Sequence, residues 1–193
     1  SLTLDPPLVA EAKESNEPKV VFNGEEVKLD HLKILSTLGN LRLDITSPVG
    51  LGYGYGMSGA ISLAYALAAV QIYGVSLKRA LDVAHTAEVL NETGLGDVAS
   101  EFYGGGIVYR KEPGSPSFAQ VEVFKAEGRV CSKPLNALPT RAIIRNVPEA
   151  LVLIGEFLKA PSLVKFFEVS KEFSTHFGFK REEGLTFRKK GLL

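Results

Sequence analysis

Between Pro48 and Gly59 the chain reads PVGLGYGYGMSG, in which Gly50, Gly52, Gly54, Gly56 and Gly59 surround one hydroxyl, Ser58. The run Leu41–Thr46 that leads in has the pattern of a strand, and the alanine-rich stretch from about Ser58 to Tyr73 predicts a helix. Strand, glycine loop and helix together can wrap backbone N–H groups around a phosphate and aim the positive helix end at it. Glycine supplies the left-handed dihedrals and lets the backbone come close to a ligand. The same composition also serves simply to turn a corner. Two details favour phosphate: the glycines stop where the helix starts, and Ser58 is placed to cap that helix or to reach a magnesium ion. The usual P-loop is excluded, because Met57 stands where its lysine belongs. A dinucleotide fingerprint fits no better, since its acidic residue would fall within the helix.

The second candidate cluster is AHTAEVLNETGLGD, Ala84 to Asp97. Glu88 lies one helical turn after His85, so the two share a face. Thr93-Gly94-Leu95-Gly96 then breaks the helix and delivers Asp97 to the start of the next segment. A carboxylate there is commonly a cap; beside a phosphate it would be a base or a charge stabiliser. Phosphoryl transfer needs an in-line acceptor hydroxyl and a metal to neutralise the phosphates. One carboxylate for Mg²⁺ and another near the acceptor would meet that need, and Glu88 and Asp97 are available.

The elements that must hold these residues follow from punctuation and period. Residues 1–17, rich in Glu and Pro, read as a weakly ordered lead-in. Lys19–Val27 reads as a hairpin turning at Asn23-Gly24, and Asp30–Leu38 as a short helix capped by Asp30. Ser58–Tyr73 is followed by a second helix, Ser76–Leu90, restarted by Ser76 after Gly74. Gly104–Arg110, Gln120–Ala126 and Arg141–Arg145 read as strands, and Pro148–Leu158 and Pro161–His176 as helices with a proline near each first turn.

Composition narrows the function classes. The 193 residues carry 22 Lys+Arg and 22 Asp+Glu, so neither nucleic acid nor an anionic membrane is signalled. One cysteine, Cys131, excludes an intrachain disulfide framework and suits a reducing cytoplasm. With three scattered histidines it leaves little for a structural zinc site. The longest apolar stretch, Ala60–Val70, is too short to span a bilayer.

In these motifs the chain resembles the GHMP kinases, whose second motif is a proline, a glycine-rich loop and a serine opening a helix. Gly54–Ala60, GYGMSGA, is similar to the GFGMSGA of the archaeal pantoate kinases within that family. Their later signature is matched by Ala84-His85, Ala87-Glu88-Val89, Thr93–Val98, Gly104-Gly105, Arg110 and Glu112-Pro113-Gly114. Leu138–Ile144 is similar to the segment that follows the kinase core. The resemblance runs from about Leu41 to Phe179.

The resemblance implies an ATP-dependent kinase acting on the hydroxyl of pantoate, with ATP and Mg²⁺ as cofactors. Pro48, Gly50, Gly52, Gly54, Tyr55, Gly56, Met57, Ser58 and Gly59 would hold the nucleotide. Ser58 and Glu88 would be the magnesium ligands, and Asp97 the catalytic base or orienter of the acceptor hydroxyl. Arg110 and Thr93 are candidate acceptor contacts, since a guanidinium grips a carboxylate bidentately; a solvated strand-end arginine is the other reading of Arg110. His85 is a candidate support for Glu88, or a packed or surface histidine. Another alcohol, of mevalonate or homoserine type, or a non-catalytic nucleotide-binding remnant are the alternatives.

The chain also departs from the family pattern. Gly50-Leu-Gly-Tyr lengthens the loop, only 47 residues precede Pro48 without the family's first motif, and no glycine-rich third motif follows Gly178. The expectation is a two-domain GHMP-kinase-like α+β fold, truncated at both ends. Residues 1–127 would form the ATP-binding domain and 128–193 a partial α+β domain. Sheet edges exposed by lost strands would favour a homodimer.

Overall fold

The computed structural model describes residues 1–4, 8–134, 137 and 149–176. The elements run β1 (Val9–Glu14), β2 (Lys19–Phe22), β3 (Glu25–Val27), α1 (Leu32–Leu35) with a 3-10 turn at Ser36–Leu38, and β4 (Leu41–Thr46). They continue with α2 (Met57–Tyr73), α3 (Leu77–Leu90), α4 (Asp97–Tyr103), β5 (Ile107–Arg110), β6 (Val121–Phe124), α5 (Glu149–Lys159) and α6 (Leu163–His176). This is the α+β class expected from the sequence.

Asn23 and Gly24 turn the β2–β3 hairpin with φ of 50° and 88°, the left-handed geometry that suits the twist of paired strands. Asn23 does more than turn the chain. Its Nδ2 donates to Ser47 O at 3.0 Å, and its Oδ1 accepts from Ser47 N at 2.9 Å. The hairpin tip therefore pins the residue that opens the glycine loop. The first sheet is mixed, in the order β1-β4-β2-β3, with β4 parallel to β2 and antiparallel to β1. β5 and β6 form a separate antiparallel pair.

Alternation in β4 puts Leu41, Leu43 and Ile45 against the helices and Arg42 and Asp44 outward. The inward face meets Ile61, Tyr65, Ala66 and Ala69 of α2, and Ala80, Leu81, Ala84 and Ala87 of α3 complete the same core. Alanines on both helices let them approach closely. α2 is apolar around most of its circumference because it has neighbours on several sides. Tyr65 is wholly buried, and its hydroxyl donates to Gly39 O at 2.7 Å and accepts from Leu41 N at 2.9 Å, tying α2 to the start of β4. Gly74 ends α2 in the left-handed conformation, and the Ser76 hydroxyl accepts from Arg79 N to start α3.

Two expectations are corrected. Residues 1–17 are not a weakly ordered lead-in throughout: β1 pairs with β4 from Val9↔Thr46 to Glu14↔Leu41, and Leu2 bridges Ile107. All six β1 side chains are exposed, so the strand is held by its backbone ladder and carries no apolar alternation. Asp30 does not cap a helix. His31 is the N-cap of α1, without a side-chain capping bond, and the segment tightens into a 3-10 turn after four residues. The expected strand Arg141–Arg145 and the motif Leu138–Ile144 lie outside the described residues.

Replacing Tyr65 by Phe removes one hydroxyl and strands a buried N–H and a carbonyl. A loss of about 1–3 kcal/mol is expected, read as a lowered urea midpoint with unchanged slope.

Candidate active site

Glu88 is wholly buried on α3. A carboxylate taken out of water costs several kcal/mol unless its lone pairs are engaged, and here all four acceptor positions have a donor. Ser58 Oγ at 2.8 Å and Thr93 Oγ1 at 3.0 Å donate to Oε2. Ser62 Oγ at 2.9 Å and His31 Nε2 at 3.0 Å donate to Oε1. Burial alone would raise the pKa of Glu88, but the hydrogen bonds and the charge of His31 outweigh it and hold the carboxyl below its ordinary value.

The glycine loop delivers α2 to this carboxylate. Gly56 is its N-cap, at φ 68°, so the loop ends in a left-handed residue and the helix begins at Met57. Ser58 makes no cap; its hydroxyl is spent on Glu88. A Cβ at Gly59 would stand 2.7 Å from Asp97 Cβ and 3.3 Å from Val98 N. The start of α2 thus lies closer to α4 than any larger residue would permit.

Asp97 is the first residue of α4, and Gly96 is the cap. Its carboxylate converges with that of Glu88 on Gly94: a Cβ there would stand 2.7 Å from Asp97 Oδ2 and 3.0 Å from Glu88 Oε2. Burial first, and then the charge of Glu88, push the Asp97 pKa up, against the pull of Arg110. Arg110 leaves β5 towards the same turn and donates to the carbonyls of Leu95 and Gly114. Burial lowers its pKa and the charge of Asp97 raises it.

The structure therefore brings Ser58, Gly59, Glu88, Thr93, Asp97 and Arg110 into one neighbourhood at the N-terminus of α2. Pro48, Gly50, Gly52, Gly54, Tyr55, Gly56 and Met57 lead into it as loop and first helical residue. Thr93 faces Glu88 and His31. His85 does not support Glu88, because His31 takes that place from another element. Among the described residues the His85 Nδ1 atom is buried without a partner, and burial, with the charge of Arg110, lowers the ring's pKa.

Sequence reasoning missed three residues. Ser62 follows Ser58 by one turn on the same helix face, a spacing that signals it. Glu101 follows Asp97 by the same interval. Its carboxylate points at the loop, with Oε1 2.6 Å from where a Gly56 Cβ would be, and its Oε2 is buried with no partner among the described residues. His31 carries no local signal at all.

The two carboxylates meet over Gly94 at a junction so tight that a side-chain carbon there would collide with Asp97 Oδ2. Its donors are hard oxygens, two carboxylates with the Ser58 hydroxyl on one of them. That set suits Mg²⁺, which keeps several waters and takes few protein ligands. No group of three or more His, Cys, Asp or Glu able to cage a metal unaided occurs among the described residues.

Residues 25–105 match the model of the GHMP kinases N terminal domain. This segment is similar to that N-terminal domain along the matched residues. Over 176 residues the chain is 31% identical to the pantoate kinase of Thermococcus kodakarensis, covering 82% of this chain and 58% of that protein. It is 28% identical over 199 residues to the pantoate kinase of Methanocaldococcus jannaschii, covering 96% and 73% respectively. A solved structure of a phosphotransferase related to the CoA biosynthesis pathway superposes with a TM-score of 0.66 at 26% identity, covering 89% of this chain and 63% of that one. The chain thus spans less than two thirds of the first relative's length. No helix among the described residues is long and apolar enough to cross a membrane.

Burial, then the charges of Asp97 and Glu88, push the Glu101 carboxyl up to about 9. The folded state therefore holds a proton that the unfolded chain releases above its ordinary value, and stability falls as pH rises from about 4.5 to about 9. Glu101→Gln keeps the shape without the ionisation. Its melting temperature is expected to match the parent's near pH 4.5 and to exceed it by a margin that widens up to pH 9, in paired thermal melts.

Proposed function

We propose that the chain is an ATP-dependent phosphotransferase that moves the γ-phosphoryl group of ATP to the hydroxyl of pantoate. The observation that carries this reading is the convergence of Glu88 and Asp97 on Gly94, at the N-terminus of a long helix entered through a glycine loop. The similarity of residues 25–105 to the GHMP kinase N-terminal domain, and of the chain to two pantoate kinases, supports it.

In this reading each residue of the site has a role. The loop from Gly50 to Gly59 offers backbone N–H groups to the phosphates, and the first turn of α2 adds its partial positive charge, worth about 0.3–1 kcal/mol where exposed. Ser58 and Glu88 would hold Mg²⁺ through one hydroxyl and one carboxylate oxygen. When bound, that ion neutralises charge on the phosphates. Asp97 orients the acceptor hydroxyl and takes its proton, and a raised pKa improves it as a base at neutral pH. Arg110, beside Asp97, is placed to pair with the acceptor's carboxylate, and Thr93 shares that turn. The division into an ATP-binding part, 1–127, and a second part, 128–193, belongs to this same reading.

The test is ADP release from Mg-ATP by the 193-residue chain with and without pantoate. Pantoate-dependent release is expected. Release that responds only to another alcohol overturns the acceptor, and nucleotide binding without turnover on any acceptor overturns the catalytic reading. Asp97→Asn is expected to lower kcat by about 10²–10⁴ while leaving ATP affinity within a few-fold of the parent.

A further inference from the structure

His31 does something that its position in the sequence does not suggest. It is 5% exposed and comes from the turn before α1, yet its Nε2 lies 3.0 Å from Glu88 Oε1 and 2.7 Å from Thr93 Oγ1, a residue 62 positions later. A carboxylate oxygen can only accept, so Nε2 carries the proton and shares it between these two oxygens. The Thr93 hydroxyl is then free to donate onward to Glu88 Oε2.

The two oxygens of Glu88 are held differently. Oε1 is gripped by Ser62, which is wholly buried, and by His31, the one donor of the four that is not a rotating hydroxyl. Oε2 is held by Ser58 and Thr93, and it is Oε2 that lies against Gly94, on the side of Asp97 Oδ2. Hydroxyls can turn away when a cation arrives and so release Oε2. The imidazole cannot leave Oε1 without moving the turn that carries it.

We propose that His31 is a positioning residue that clamps Oε1 of Glu88, so that Oε2 is the oxygen presented to a divalent cation at the nucleotide phosphates. The proposal rests on the phosphotransferase reading above. The clamp also ties the Thr93 turn, which delivers Asp97, to the same imidazole, so one side chain sets both carboxylates in register.

The test compares ATP binding by calorimetry in excess Mg²⁺ and in EDTA, for the 193-residue chain and three variants. His31→Leu is expected to lose about 10–100-fold of the Mg²⁺-dependent gain in affinity, the usual effect of removing a partner of a metal ligand, with EDTA values unchanged. His31→Gln, whose amide reaches to about the place of Nε2, is expected to recover most of the gain. His31→Asn, too short to reach Glu88, is expected to behave like Leu and serves in its place if the Leu variant does not fold. A Leu or Asn variant with the parent's full Mg²⁺ gain overturns the proposal, as does an equal loss in Mg²⁺ and EDTA, which marks a structural role only. A parent chain with no Mg²⁺-dependent binding overturns the phosphotransferase reading itself, and this proposal with it.

Discussion

The burial of one negative charge governs this structure. Glu88 is shut away from water, and a carboxylate in that position demands donors on every side. No single element can supply them. The donors come from the turn before α1, from two turns of α2 and from the turn after α3. Meeting the demand therefore fixes three helices and a loop relative to one another. The apolar contacts among Ile61, Ala66, Ala84 and Ala87 fill the space behind that arrangement. Hydrophobic burial is non-directional and would tolerate small slides of one helix along another; hydrogen bonds near 3 Å to a single carboxylate do not.

The glycines answer the second half of the same constraint. Bringing the start of α2 against the start of α4 puts Gly59 where a side-chain carbon would collide with Asp97, and Gly94 where one would fall between Asp97 and Glu88. Glycine at both places lets the two carboxylates and the backbones that carry them approach as closely as they do. Asn23 contributes at the other end of the loop, where its two bonds to Ser47 fix the point from which the glycines depart.

Whatever local sequence encodes was legible in advance. The Asn23-Gly24 hairpin, the alternation of Leu41–Thr46, the Ser76 cap and the Gly74 stop each declare themselves within a few residues, and each forms as read. β1 was not legible. Its sequence, VAEAKE, has no buried face, and only the distant edge of β4 makes it a strand. The site divides along the same line. Glu88, Asp97 and Ser58 stood out through spacing and resemblance, whereas His31 is joined to them only by the folded path of the chain. Glu101 lay between these cases, since its interval from Asp97 places it on the same helix face, but nothing nearby marks it as buried against the loop.

The environments of the two central carboxylates explain why one site can ask opposite things of the same functional group. Glu88, saturated with donors, is held below its ordinary pKa, as its proposed role as a cation ligand requires. Asp97 is buried beside that fixed negative charge, and its pKa moves the other way, as suits a proton acceptor. Pairs of titratable groups whose surroundings push them apart mark the division of labour in acid–base chemistry. Here burial does most to raise the pKa of Asp97, and the charge of Glu88, left in place by the donors that satisfy it, adds to that effect from beside Gly94. A cation held at Glu88 Oε2 would reverse the sign of the field that Asp97 feels. If a cation binds there as proposed, its binding and the basicity of Asp97 would be coupled through Glu88.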